Sequence, residues 1–398
     1  MDVSAPKSNV AVLTCSEYAL SDVYDTIKKS IDLLGGVQSF VKKGDNVLLK
    51  PNMFRPSKQG TTHPSVVHAV AKIFKEEGAH VFLTDSPMVH SLEEVARFTG
   101  VADVCNELDI AMLPIKAVNK KAVRDPQRSQ TFFLPQFLDE MDLLVNLPKI
   151  KSHPLTVFSG SVKNMFGLCT GTTKSQFHLR FKKKYDFCHM LLDLYSVVRP
   201  ELTIMDAVQG VDSTGCTKQV GAILTSNDAI ALDVVACNIL GIPADTVLTN
   251  ALGEERSLGV ARKDRIEILG DVFNFPLIDG FEYEINHREA ISSMTISMFD
   301  SFFLKNSIGK PHITDSCKRC AECVALCPTA AITVERKKAR IEYNKCIRCY
   351  CCQEICPNNA VVVKEPNRLF LLLASLLQKE VIKLRSFESQ KTSENNDA

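Results

Sequence analysis

The sequence lacks any apolar run of the about eighteen residues that a membrane-spanning helix needs. Residues 1–9 carry charge and have no apolar core of signal-peptide length. The formal net charge is only +1, so no excess of positive charge indicates a nucleic-acid partner. These absences predict a cytoplasmic protein with no transmembrane segment and no nucleic-acid partner.

Nucleotide-binding motifs are missing as well. Residues 167–174 contain glycine and lysine, but their spacing is not that of a P-loop, and no Gly-x-Gly-x-x-Gly follows an apolar run. The sequence therefore gives no support for a bound nucleotide or nicotinamide. A disulfide framework is not indicated either, because six of the 15 cysteines are scattered and nine lie within 317–356.

Those clustered cysteines form two runs of identical spacing, each followed by a proline. The first run is Cys317, Cys320, Cys323 and Cys327, and the second is Cys346, Cys349, Cys352 and Cys356. In bacterial two-cluster ferredoxins the fourth cysteine of each run ligates the other cluster. This rule predicts one [4Fe–4S] cluster on Cys317, Cys320, Cys323 and Cys356, and a second on Cys346, Cys349, Cys352 and Cys327.

A pair of zinc sites is the alternative for these cysteines. Zinc sites usually show paired Cys-x-x-Cys units, which need neither a third close cysteine nor the proline. Cys351 fits neither run, and we interpret it as a spare thiol beside Cys352.

The length exceeds what one hydrophobic core normally supports. We predict an α/β domain over 1–290, a joining segment at 291–311, a ferredoxin-like domain over 312–364, and a helix and disordered tail over 365–398. The helical pattern at 367–385 indicates a helix that docks on the protein's own surface, with contact to a membrane surface or a partner as the alternatives.

Short apolar runs alternate with helical patterns before residue 290, which is typical of parallel strands joined by helices on both faces of a sheet. We predict six or seven strands in one large, mainly parallel sheet, and a hairpin or excursion between 118 and 137. The predicted strands are 10–14, 46–50, 79–84, 142–147, 202–205, 222–225 and 265–269. The fold class is thus α/β, with a small α+β ferredoxin-like iron–sulfur domain.

Polar side chains follow several of these strands, where ligands of open parallel sheets bind. As candidates for substrate binding we take Lys50, Asn52, Asp85, Lys149, Lys151, Lys174 and Asp206. Any one of them, taken alone, is more simply explained as a turn or helix-cap residue, but their number together favours a substrate-binding site.

Residues 149–184 contain eight lysines and arginines and no acidic residue, which favours an anionic ligand with carboxylate or phosphate groups. Within this run, Lys163 and Asn164 lie between apolar residues and precede two glycines, so they are the candidates for stabilising charge in a reaction. His153 and His178 are the candidate proton donors, although each alone is more often a surface or core histidine.

Several motifs together resemble the DUF362 family over about residues 10–270. They are Lys50-Pro51-Asn52, His63-Pro64, Asp85-Ser86-Pro87, Asn146-Leu147-Pro148-Lys149 and Ser159-Gly160-Ser161-Val162-Lys163-Asn164, with Asp206-Ala207 and 228–237 after them. The resemblance implies an α/β domain coupled to iron–sulfur clusters and little about the substrate.

The sequence leaves three functions open. The first is a reductase, set in anaerobic metabolism, that takes electrons from an external ferredoxin or another one-electron donor and passes them to a small anionic substrate in the α/β domain. The second is a non-catalytic electron-transfer or partner-binding subunit of a redox complex. The third is an enzyme without redox chemistry, in which clusters stabilise a segment too short to fold alone.

Overall fold

The structure is a computed structural model that describes residues 7–271, 278, 280–284 and 309–364. The predicted helix at 367–385 and the tail lie outside the described residues, as does the predicted joining segment except for 309–311.

The first part of the chain forms one ten-stranded sheet with helices on both faces. The strands of this sheet are β1 Ser8–Thr14, β2 Asn46–Pro51, β3 His80–Leu83, β4 Ala111–Met112, β7 Leu143–Leu147, β8 Lys149–His153, β9 Val157–Ser159, β10 Leu202–Val211, β11 Thr217–Ser226 and β12 Ile266–Gly270. The hairpin expected between 118 and 137 is present as β5 Val118–Ala122 paired with β6 Thr131–Pro135.

The order of the main sheet is β12-β1-β11-β10-β7-β2-β3-β4. All neighbours in this order are parallel except β11, which is antiparallel to both β1 and β10. The expectation of a mainly parallel sheet is confirmed, whereas the expected six or seven strands were too few. The missed strands are short or polar, so they carry little of the apolar signal by which strands are recognised.

The helices cover the sheet in two groups. They are α1 Leu20–Asp32, α2 Pro64–Glu76, α3 Leu92–Thr99, α4 Val101–Glu107, α5 Ser161–Asn164, α6 Gly171–Arg180, α7 Lys184–Val197, α8 Ala229–Ile239 and α9 Leu248–Glu255. The first four supply side chains to one apolar cluster, and α5, α7, α8 and α9 supply side chains to the clusters on the opposite face. Val47 and Leu49 of β2 face the first cluster and Leu48 faces the second, as the two-residue repeat of a strand requires.

β8 continues β7 beyond Pro148, and both strands run parallel to β10. Asp206, which we expected just after a strand, lies inside β10 and is aligned with Lys149 of β8. Because side chains alternate along a strand, Lys149, Lys151 and His153 share one face of β8, while Ile150 packs into the core on the other.

The ferredoxin-like module consists of two similar halves. Its elements are β13 Lys310–Ile313, α10 Glu322–Leu326, β14 Ile332–Val334, β15 Ala339–Ile341, α11 Cys351–Ile355 and β16 Val361–Lys364. β13 pairs with β16, β14 pairs with β15, and α10 packs against α11, so each strand pairs with a strand of the other half and the two helices pack together.

Candidate functional site

The eight cysteines of the two runs surround two separate cavities in the module. One cavity is lined by Cys317, Cys320, Cys323 and Cys356, and the other by Cys327, Cys346, Cys349 and Cys352. These are the two ligand sets that the ferredoxin rule predicts, with the fourth cysteine of each run exchanged. Cys351 also borders the second cavity.

The backbone around the cysteines repeats from one run to the other. In and just after each run, three residues at corresponding positions have a positive φ. They are Arg319, Ala321 and Ala330 for the first run, and Arg348, Tyr350 and Asn359 for the second. The Sγ of Cys327 accepts a hydrogen bond of 3.2 Å from the Ala331 amide, and Cys356 accepts one of 3.2 Å from Ala360. Backbone N–H groups directed at sulfur are what a cluster-bound thiolate requires, because they stabilise its negative charge.

The chemistry of the sulfur atoms fits an iron–sulfur cluster. Burial raises the pKa of Cys323 to about 11, and the charges that raise it further come from the other three cysteines of its set, Cys317, Cys320 and Cys356. Four thiolates this close together repel one another unless a cationic centre lies between them. No group of three or more described Cys, His, Asp or Glu side chains is arranged to hold a single metal ion.

Two buried ion pairs mark the carboxyl ends of the parallel strands. Lys50 at the end of β2 pairs with Asp85 after β3 at 3.0 Å, and Lys149 of β8 pairs with Asp206 of β10 at 3.0 Å. Burial lowers the pKa of Lys50 and of Lys149, and the facing carboxylate opposes that shift. These four candidates therefore neutralise one another in pairs.

Asn164 links the ends of β2 and β7 by hydrogen bonds. Its amide group donates to the backbone oxygen of Lys50 and to the side chain of Asn146, at 3.0 Å and 2.8 Å, and it accepts a bond of 3.0 Å from Asn52. Asp233 of α8 holds the first turn of α5 by accepting the amides of Ser161 and Val162, which fixes Asn164 in this position. Asn164 is buried and does not line the cleft described below.

Lys151 lies beside this network but has no carboxylate partner among the described residues. Its ammonium group contacts Asn52 Oδ1 at 3.2 Å and lies 4.0 Å from the centre of the Phe54 ring. Burial lowers the pKa of Lys151 to about 7, an effect that the carboxylate of Glu354 partly offsets. Lys151 is therefore protonated in only part of the molecules at neutral pH.

His153 and Lys163 both contact Glu354, which lies in the ferredoxin-like module. His153 Nε2 is 3.4 Å from one carboxylate oxygen, and Lys163 Nζ is 3.4 Å from the other. Although burial alone would raise the pKa of Glu354, the Lys163 charge contributes to holding it well below its usual value. Glu354 lies on α11 between the predicted ligands Cys352 and Cys356, so this ion pair joins the two domains beside a cluster site.

The tautomer of His153 follows from its other ring nitrogen. Nδ1 accepts hydrogen bonds from the Leu155 and Thr156 amides at 3.0 Å and 3.2 Å, so the ring proton is on Nε2 and points at Glu354. Burial lowers the pKa of His153 to about 4, which leaves the ring neutral at physiological pH.

A cleft of about 320 Å³ opens between the sheet domain and the module. The sheet domain lines it with Phe54, Arg55, Lys151, His153 and 211–215, and the module lines it with Gln353, Glu354, Asn359 and 361–363. Arg55 donates a hydrogen bond of 2.9 Å to the backbone oxygen of Cys356, and Val361 lines both the cleft and the cavity of the Cys317 set. The cleft is thus adjacent to that cysteine set.

Lys163 is not itself among the described residues that line this cleft, but its partner Glu354 is. Two further candidates lie away from the cleft. Lys174 donates a hydrogen bond to the backbone oxygen of Ser86, and burial lowers its pKa to about 8. His178 stacks on Phe187 at 4.5 Å, and burial lowers its pKa to about 3. Neither side chain is among the described residues that line the cleft, and their proposed roles stay predictions.

Sequence reasoning missed Arg55 and Glu354, which both line the cleft, and Tyr18, whose hydroxyl donates to Asp206 at 2.8 Å. Arg55 closely follows the motif at 50–52, so its position after a strand was a usable signal. Glu354 stands between two cluster cysteines, and only the packing of the module on the sheet domain brings it to the basic run.

Comparisons with known proteins agree with this division of the chain. Residues 47–238 match the family described as a domain of unknown function, DUF362, and residues 311–357 match a 4Fe-4S dicluster domain. A thylakoid-associated protein of Synechocystis sp. is 31% identical over 258 residues, which cover 63% of this chain and 80% of that protein.

Among solved structures, the lactate racemase apoprotein of Thermoanaerobacterium thermosaccharolyticum is similar, with a TM-score of 0.42 and 15% sequence identity. The match covers 58% of this chain, and this chain spans 57% of the length of the racemase chain. No described helix has both the length and the apolar character needed to span a bilayer.

The 4Fe-4S dicluster domain gives the chain iron–sulfur clusters and a role in electron transfer with redox partners. With these matches beside the two cysteine cavities and the α/β sheet, the chain belongs to the DUF362 family and carries a 4Fe-4S dicluster domain at its C-terminal side.

Proposed function

We propose that this chain is an iron–sulfur oxidoreductase of anaerobic metabolism that delivers single electrons to a small anionic substrate in the cleft. Its two [4Fe–4S] clusters would be held by the two cysteine sets and would supply those electrons. An external ferredoxin or another one-electron donor would reduce them. The observation that carries the proposal is the cleft, where Arg55 and Lys151 line one wall together with the carboxylates of Asp212 and Glu284, and where the other wall adjoins a predicted cluster ligand.

Unsatisfied polar groups in the cleft support a polar ligand. Arg55 Nε and Gln353 Oε1 both belong to residues that line it, and both atoms are buried without a hydrogen-bond partner among the described residues. Buried polar groups are nearly always paired, so atoms left unpaired in a cleft favour a bound polar molecule. Arg55 and Lys151 line the cleft and would attract its anionic groups, and Lys163, which borders the cleft through its ion pair with Glu354, would stabilise the charge that develops on reduction.

The remaining candidates take supporting roles in this proposal. Asn164, Lys50 and Asp85 would hold Lys151 in place through Asn52, and Lys149 with Asp206 would fix β8 beside β10. Of the two candidate proton donors, His153 lines the cleft and His178 does not. With a neutral ring, His153 would orient Glu354 through its Nε2 proton and would supply a proton to the substrate only after taking one up.

Anaerobically purified, reduced protein tests the proposal. Small carboxylates and phosphate esters are added singly, and reoxidation of the clusters is followed by visible absorbance. We expect a compound that reoxidises the wild type to fail with Lys163→Ala, although that variant keeps its iron. Lys182→Ala is the matched control, because Lys182 belongs to the same basic run and is exposed.

The alternative function is a non-catalytic electron-transfer or partner-binding subunit. It would replace our proposal if no small anion reoxidised the clusters and none were found bound to the purified protein by native mass spectrometry, while a redox protein exchanged electrons with the module. If the protein converted a cleft-bound molecule at the same rate with oxidised and with reduced clusters, the result would instead favour clusters with a structural role.

We also propose a cytoplasmic location. The relative's name associates that protein with thylakoids, so attachment to a membrane surface through 367–385 is the alternative. Deleting the chain after residue 365 and measuring sedimentation with liposomes separates the two locations.

A further inference from the structure

Cys320 differs from the other predicted cluster ligands in its exposure. It is the exposed one of the eight, while the other seven are buried or partly buried. Cys356, which lines the same cavity, is buried on the side of the sheet domain, where its backbone oxygen contacts Arg55. The Cys317 set therefore has one edge toward the cleft and another edge at the protein surface.

Basic side chains surround the exposed edge. This basic rim consists of Lys318, Arg319, Arg336, Lys337 and Lys338. Two contacts bring its parts together. Arg319 Nη1 donates to the backbone oxygen of Arg336 at 3.0 Å, and Lys338 pairs with Asp315 at 2.9 Å. The tip of the β14–β15 hairpin thus lies against the first cysteine run.

The carboxylates of these two stretches neutralise only part of the basic rim. They are Asp315, which pairs with Lys338, and Glu335, which lies 3.4 Å from Arg340, a further exposed cation outside the rim. The rim therefore keeps a net positive charge in a chain whose overall net charge is only +1. Val334, which directly precedes the hairpin tip, is 44% exposed and offers an apolar contact beside the charges.

We propose that the basic rim is the docking surface for an acidic, one-electron-carrying redox protein. This inference deepens the proposed function, because it gives the external donor a surface and a charge. The docked donor would lose one electron, and the cluster of the Cys317 set would gain it, with no bond or proton transferred. Complementary charge would steer the encounter, and the small apolar contact fits the limited interfaces of transient redox complexes.

An anionic membrane would also attract a basic surface, but the position of this rim favours a protein donor. The charges surround the exposed cluster ligand itself, and electron transfer needs a close approach at that point. Binding to a lipid surface would need no cluster ligand at its centre.

The test is the rate at which the oxidised, iron-loaded protein is reduced by a reduced, acidic [2Fe–2S] ferredoxin in a stopped-flow instrument, with no substrate present. The Arg336→Glu/Lys337→Glu variant should lower the second-order rate constant by roughly tenfold or more at low salt. The difference should shrink as ionic strength rises, because salt screens exposed charges. Lys42→Glu/Lys43→Glu is the matched control, since those lysines are adjacent, exposed and belong to the sheet domain.

Reduced methyl viologen, a small cation, should reduce the rim variant no more slowly than the wild type. This result would separate lost docking from a damaged cluster. If the ferredoxin reduced the rim variant at the wild-type rate, the proposal would be overturned. It would also be overturned if the control variant were slowed as much as the rim variant. If the rim variant kept the wild-type kinetics with the ferredoxin but no longer sedimented with anionic vesicles, the rim would be a membrane-binding surface instead. Because the assay contains no substrate, its outcome does not depend on what the cleft binds.

Discussion

Lys151 shows how burial gives a single side chain its chemistry. Its stem lies in the sheet domain and its ammonium group is at the cleft, with an amide oxygen and an aromatic ring as neighbours. Lys50 and Lys149 are buried as deeply, but each has a carboxylate within 3.0 Å. Of these three buried lysines, Lys151 is thus the one whose charge a bound ligand can still influence.

The charge state of Lys151 predicts a pH dependence for anion binding. Burial lowers the pKa of Lys151 to about 7, so the cationic form is present below that pH and is lost as the pH rises through it. We expect the affinity for sulfate, measured by calorimetry, to fall by up to about tenfold per pH unit above that point, since binding then requires uptake of a proton.

The Lys151→Met variant should bind sulfate weakly and with a flat pH profile between pH 6 and about 9. Lys182→Met, which changes an exposed lysine, should keep the wild-type profile. A steep profile that survives in Lys151→Met would show that another group controls binding.

At the scale of elements, the sequence predicted the strands and helices that have a regular apolar pattern. β1, β2, β7 and the helices α2 and α8 were recognised because apolar residues recur in them with the period of a strand or a helix. β8 was missed because three of its five residues are Lys149, Lys151 and His153, which alone indicate a loop. Burial against Asp206, Phe54 and Glu354 makes this polar segment a strand, and those partners are distant in the sequence.

The candidate site was likewise predictable from the sequence only where a local pattern encodes it. The cysteine sets depend on local spacing and on a chain that folds back on itself, so the sequence was sufficient to predict which four cysteines share a cavity. The cleft depends on Arg55 meeting Cys356 across the domain boundary, and no local pattern encodes that contact.

Gly167 provides a test of the packing at the strand ends. It lies between α5 and α6, and a Cβ atom there would be 2.2 Å from Asp85 Oδ1 and 2.5 Å from Lys50 Nζ. Gly167→Ala should therefore separate the buried ion pair and lower the free energy of unfolding by about 2–3 kcal/mol. Denaturant unfolding followed by circular dichroism measures the change.

Gly60→Ala is the control for that substitution. Its Cβ would be 3.4 Å from Ser57 Oγ, which is close to ordinary contact, so we expect a change within about 0.5 kcal/mol. Equal unfolding midpoints for the two variants would mean that the ion pair accommodates the methyl group without loss.

At the scale of the whole molecule, a net charge near zero conceals a separation of charge. Of the basic run at 149–184, Lys151 lines the cleft at the domain boundary, and Lys163 pairs there with Glu354 of the module. The basic rim lies on the other edge of the same cysteine set. In our two proposals, the Cys317 set thus lies between a surface that docks an acidic protein and a cleft that binds a small anion.

The crossing of the two cysteine runs gives the last prediction. Wild-type protein should contain about eight iron atoms per chain, and Cys351→Ser should leave that number unchanged because each cavity already has four cysteines without it. A single substitution such as Cys320→Ser should remove about half of the iron.

Double variants distinguish crossed from uncrossed sets. Cys320→Ser/Cys356→Ser removes two ligands of one cavity, so about four iron atoms should remain, although the two cysteines belong to different runs. Cys320→Ser/Cys352→Ser removes one ligand from each cavity and should abolish both clusters. Iron analysis of anaerobically purified protein, with electron paramagnetic resonance of the reduced form, measures the outcome. If each run held its own cluster, both doubles would lose nearly all iron, and zinc in place of iron would end the ferredoxin interpretation.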